Sequence, residues 1–347
     1  MPVVSRLTRP CGCLILAILS LLGATCASHL RPILPTPDLI AFNHLDAADR
    51  LVAAGCYACL QQALGIYEQL TVSTPAVIVA PTRAVDTALL LAVRERELGI
   101  GDGTALQRAG RLAARLPVPH DYADLLAIAA LQPWKGSGVS KDLTDSQSGS
   151  YRTVSENWSR WRPMLVERAG ADQLSAYLLL LLEGHFRYRL RDQKLEPWKP
   201  GSGATPLLRF QLATCVSVKA APLESLLNEE PRFEEAHLFL GESALVAGKL
   251  VTAERHLLQA VGALPELTAG HLALGHVYLA MEDLSTARAS YRRVLERAPS
   301  HREALLGEAQ SLSYLGRSEE ALTVLDEMVR LGTWYMGEAY YWRAWNR

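Results

Sequence analysis

Three windows decide how this chain folds: EEAHLFLGESALVA at 234–247, TAGHLALGHVYLAM at 268–281 and REALLGEAQSLSYL at 302–315. Each begins 34 residues after the one before it. Pro231, Pro265 and Pro299 keep the same interval, as do Gly241 and Gly275, and then Ala253, Ala287 and Ala321. A fixed period of this size marks stacked supersecondary units, and it outranks local propensity.

Each unit reads as helix, turn, helix. The first helices are expected at Glu234–Ala247 and Thr268–Met281, with turns at Gly248-Lys249, Glu282-Asp283 and Gly316-Arg317. The second helices are expected at Thr252–Ala263, Ser285–Ala298 and Ser318–Arg330. Proline closes the first two units, where it stops a helix without sitting inside one. Glycine and alanine stand where two helices must approach closely, and Leu240, Leu257, Leu274, Tyr278, Tyr291 and Leu325 supply the bulk.

This order of Leu-Gly, aromatic, Ala, aromatic and Pro resembles the tetratricopeptide repeat family. The resemblance covers 234–333, in units of 234–267, 268–301 and 302–335. The third unit departs from it, with Glu308-Ala309 in place of Leu-Gly and Thr333 in place of proline. The fold implied is all-α, a right-handed superhelical solenoid of antiparallel helix hairpins. Residues 336–347 read either as the first helix of a further unit or as a capping helix. Four aromatics there, Tyr340, Tyr341, Trp342 and Trp345, sit poorly with the polar outer face of a cap.

In this family the first helices line the binding surface. Position by position, the resemblance puts Leu238, Leu272 and Leu306 in one row and Glu242, His276 and Gln310 in a second. It implies a protein or peptide segment as partner, held in a mixed groove. This chain has Leu where family members that clamp a terminal carboxylate need Lys, and it lacks their Asn pattern. His237 and His271 stand where the family often has Trp, so both are expected to pack.

The sequence has 347 residues, enough for more than one domain. Its net charge of −1 and its lack of a dense basic stretch argue against nucleic acid as a partner. The irregular region 39–228 reads as degenerate helical hairpins, beginning with one over Leu39–Leu70. A polar, Gly- and Ser-rich stretch, Lys135–Ser150, reads as a loop, and Arg94-Glu95-Arg96-Glu97 reads as a solvated face. No Ser/His/Asp arrangement, His-Glu-x-x-His motif or Walker loop occurs. We expect no catalytic residues, no metal and no cofactor. The functional expectation is a non-catalytic interaction scaffold, with a docking subunit of an envelope enzyme, secretion or regulatory complex as the alternative.

Residues 1–28 have the order of a secretory leader: Arg6 and Arg9, then an apolar run Cys13–Ala24, then small residues. Leu22-Gly23-Ala24-Thr25-Cys26 also resembles a lipoprotein signal, which makes Cys26 the lipidation candidate. Residues 29–38 form a Pro-rich tether. The expected location is therefore exported, periplasmic or envelope-associated, with membrane attachment through lipid on Cys26 or through an uncleaved leader as the alternative. Cys56 and Cys59 lie in an apparently helical run, Ala53–Leu70. A helical i,i+3 pair stands ~5–6 Å apart at Cβ, against ~3.5–4.5 Å for a disulfide, so packing is expected rather than bonding.

Overall fold

The computed structural model describes residues 37–74, 77–100, 103–117, 122–131, 145–186, 198–201, 203–214, 219–332 and 336–347. The expected leader with Cys26, the tether as far as residue 36 and positions 135–144 of the expected loop lie outside the described residues. The chain divides into two compact units, Met1–Asn43 and His44–Arg347.

Among the described residues the chain is all-α. The helices are α1 Pro37–Ala54, α2 Tyr57–Ser73, α3 Ala80–Leu98, α4 Thr104–Ala113, α5 Ala123–Ala129, α6 Asp145–Arg168, α7 Gln173–Phe186, α8 Pro206–Thr214 and α9 Ala220–Glu229. The regular part follows as α10 Ala236–Val246, α11 Leu250–Ala263, α12 Thr268–Ala280, α13 Leu284–Arg297, α14 Arg302–Tyr314, α15 Ser318–Leu331 and α16 Met336–Trp345. Helices α10 to α15 pack as three hairpins, and the first helices α10, α12, α14 and α16 also touch one another in turn. This is a tetratricopeptide-like solenoid of successive helix pairs.

The hairpin turns share one backbone device. Gly248 and Gly316 adopt positive φ, and Glu282 does the same at the corresponding place in the second unit, with φ 62°. Glycine meets this conformation at no steric cost; glutamate does not. Local caps set the helix starts that follow. Asp283 accepts a hydrogen bond from the Thr286 amide at 3.2 Å, and His301 Nδ1 accepts from the Ala304 amide at 3.3 Å.

One apolar core runs from Ala48 through Val277 and includes Leu89, Trp161, Leu181, Phe210, Phe233 and Leu257. The irregular helices and the first repeat therefore share an interior. Within it lies a charged centre that the sequence does not announce. Arg94 is fully buried (0% exposed), which overturns the expectation of a solvated Arg94–Glu97 face. Its guanidinium reaches Glu97 at 2.8 Å and Glu235 at 3.0 Å and lies 4.4 Å from the centre of the Phe210 ring. Burial alone would pull Arg94 down, but Tyr177, Glu97 and Glu235 outweigh it and hold the guanidinium charged. The same burial pushes the Glu235 carboxyl up, against the pull of Arg94. Since Glu235 Oε1 accepts from both Arg94 and the Tyr57 amide, we take the pair as ionised.

Two further expectations change. The polar stretch at 145–150 is the opening of α6 rather than loop; it shares a 24-residue helix with Trp158, Trp161 and Leu165, which anchor that helix in the core. Cys56 and Cys59 are bonded, with Cα atoms 4.9 Å apart. Gly55 at φ 71° interrupts the run, and Cys56 takes extended backbone as the N-cap of α2. A helical spacing therefore does not apply to this pair, and Cys56 swings close enough to Cys59 to bond.

Candidate interaction surface

The two rows expected on the first helices have different fates. Leu238, Leu272 and Leu306 are 1%, 3% and 9% exposed. They pack inside the stack: Leu238 in the large core, Leu272 with Tyr291 and Val294, and Leu306 with Leu325 and Met328. Glu242, His276 and Gln310 are partly exposed. The first helices thus leave an amide, an imidazole and a carboxylate partly exposed, over a layer of buried leucine.

His276 is fixed by its neighbours. Its Nδ1 pairs with the Tyr291 hydroxyl at 2.9 Å and its Nε2 with Glu303 Oε1 at 3.1 Å. With the hydroxyl donating to Nδ1, Nε2 carries the proton and donates to the carboxylate. Three helices, α12, α13 and α14, meet at this relay. The Tyr291 ring is held between two glycines. A Cβ on Gly275 would come within 2.5 Å of that ring, and one on Gly307 within 2.3 Å. The sequence flags Gly275 through its period, but Gly307 and Glu303 have no such signal. Their counterparts one unit earlier are Ala273 and Ala269, so neither repeats.

The same face carries apolar rims at the helix ends. Val246 and Tyr314, 68 positions apart and therefore equivalent in the period, are both exposed. Arg288 on α13 bridges Glu308 at 3.4 Å and Glu320 at 3.3 Å, which ties the second hairpin to both helices of the third.

Three other histidines of the repeats contact a neighbouring helix or the backbone. His271 Nε2 lies 2.9 Å from the Pro265 carbonyl, and His237 pairs with His256 through their Nδ1 atoms, also at 2.9 Å. Among the described residues no group of three or more His, Cys, Asp or Glu is placed to hold a metal ion. No helix among them is long and apolar enough to cross a membrane.

The last helix packs on the third hairpin through Ala339 and Trp342. In the complete units the Gly241 and Gly275 positions receive the unit's own second helix. The same position in α16 is Arg343, whose Nε lies 2.9 Å from Asp326 on the preceding α15. Asn346 donates to Ser313 Oγ at 2.7 Å, and Trp342 packs edge-on against Tyr314. Tyr340, Tyr341 and Trp345 point outward.

Residues 272–333 match the model of the family described as tetratricopeptide repeat. A comparison with curated proteins finds no match. Period, hairpin packing and family model agree over the last third of the sequence: this part of the chain carries tetratricopeptide repeats.

Proposed function

We propose that this chain is a non-catalytic scaffold that binds a protein or peptide segment along its first helices, outside the cytoplasm. The observation that carries the binding reading is the partly exposed row Glu242, His276 and Gln310, the last two on helices packed together through Tyr291 and its two glycines. Repeats of this kind act by docking, and a rigid polar row fixes the register of an extended partner. Because the leucines beneath are buried, recognition runs through hydrogen bonds and charge, with Val246 and Tyr314 as apolar contacts at the rim.

Two independent features support export. The leader-like 1–28 is one. The Cys56–Cys59 disulfide is the other, since such bonds persist in oxidising compartments. Attachment by lipid on Cys26 is the more specific form of this reading. Intact mass of the mature protein separates the cases: a diacyl or triacyl adduct on Cys26 supports the anchor, and a clean new N-terminus near Ala27 or Ser28 removes it. A chain that keeps Met1 and stays in the cytosol would overturn export altogether.

For the binding surface, a photocrosslinking side chain placed at Glu242 or at Gln310 should capture the same partner in cells. One placed at Arg293, an exposed residue on second helix α13, should not. Equal capture from all three positions, or capture from Arg293 alone, would remove the first-helix surface from consideration.

A further inference from the structure

The first hairpin contains a polar contact that its packing does not require. His237 on α10 and His256 on α11 face each other with Nδ1 atoms 2.9 Å apart and ring centres 5.1 Å apart, nearly stacked. The same two positions of the third hairpin hold Leu305 and Val324, which join one apolar cluster. In the second hairpin they hold His271 and Ser290. A hairpin of this type therefore closes well without two imidazoles.

One tautomer assignment satisfies both contacts of the pair. His256 Nε2 lies 3.5 Å from Arg255 Nη2, a group that only donates, so Nε2 presents its lone pair. His256 then carries its proton on Nδ1 and donates it to His237 Nδ1. His237 in turn carries its own proton on Nε2. In this arrangement each ring has one free lone pair, and both are in use. Protonating His237 puts a hydrogen on the Nδ1 that must accept. Protonating His256 puts a cation against Arg255. Either event turns an attractive contact into a repulsive one.

We propose that the His237–His256 pair is a pH-sensitive clasp: neutral, it holds α10 on α11; protonated, it releases the first hairpin while the later hairpins stay closed. The charged groups acting on the pair are Arg255 on α11 and Glu224 on the adjoining α9. Burial first, then the mutual charge of the pair and Arg255, depress His237 to about 4. His256 is depressed in the same direction, mainly by burial, with Glu224 opposing. A value depressed in the closed form means that the clasp contributes fully above the ordinary histidine range. That contribution is lost as pH falls from there toward about 4.

Hydrogen exchange of the full chain at pH 7 and pH 4.5, corrected for intrinsic exchange rates, tests this. Protection of 236–263 should fall by about tenfold or more relative to 284–331. In the double variant His237→Leu, His256→Val, which copies the third hairpin, that selective loss should vanish while the pH 7 protection persists. The clasp is overturned if wild-type protection falls equally in all hairpins. It is also overturned if the double variant loses protection in 236–263 as the wild type does.

Discussion

Arg94 and Glu235 meet 3.0 Å apart in the core, although 141 positions of sequence separate them. One belongs to α3 of the irregular half and the other is the N-cap of α10, at the start of the first repeat. Their contact ties the start of the first repeat to the preceding helices. Removing one partner of a buried ion pair leaves an unpaired charge and costs about 3–5 kcal/mol. Glu235→Ala should therefore lower stability by that order, with a further penalty because the Tyr57 amide loses its acceptor. Urea denaturation with the matching Arg94→Met and the double variant checks it. The two single losses should sum to clearly more than the double loss.

The Tyr291 ring leaves no room on either side. Gly275→Ala should destabilise the chain by about 1–3 kcal/mol through overpacking. The third hairpin shows how the strain is relieved, since there Ala309 faces Leu325. Tyr291→Leu in the Gly275→Ala background should recover part of the loss, even though it removes the hydroxyl from His276. Thermal denaturation of the two variants decides it, and a larger loss in the double would refute the packing account.

Glu282 holds a turn that glycine holds in the neighbouring hairpins. Glu282→Gly should raise stability by about 0.5–1 kcal/mol, because relief of the left-handed backbone exceeds the added chain entropy of glycine. Gly248→Glu should do the opposite. Paired chemical denaturation curves at one pH measure both.

Asp86 on α3 is pushed up to about 7, first by burial and then by Asp172, a rise that the Tyr122 hydroxyl only partly offsets. An acid raised in the folded state is bound to its proton there and ionised in the unfolded chain. Its contribution is therefore best below pH 4 and is lost as pH rises through about 7. Asp86→Asn should have a higher denaturation midpoint than wild type at pH 8 and nearly the same midpoint at pH 4. A variant less stable at both pH values would show that the carboxylate is needed.

Periodicity made the regular half legible. Turns at Gly248, Glu282 and Gly316 and the close approaches at Gly241 and Gly275 all recur, so one unit explains the next. The irregular half had no such redundancy. Arg94 lies in a run of alternating charges that looks solvated, and only Tyr177, Phe210 and Glu235, brought in from distant positions, reveal that it is enclosed. Cys56 was misjudged because Gly55 breaks the helix one residue before it, a boundary finer than apolar spacing resolves. The surface was legible in outline. Periodicity located the row of leucines but could not say which side of the helix layer they face. Glu303 and Gly307 occur once and leave no periodic trace.

The shared tyrosine also limits how the array can be taken apart. A repeat protein is usually treated as a string of interchangeable modules. Here the side chain that fills the second module needs a glycine supplied by the third, and its hydroxyl is relayed through His276 to a carboxylate of the third. A module with a smaller side chain at the Tyr291 position, substituted at 268–301, would meet Gly307 with no ring to fill it, and one without glycine at the Gly307 position, substituted at 302–335, would drive a methyl group or more into Tyr291. For anyone recombining this protein, the smallest transferable part is the pair.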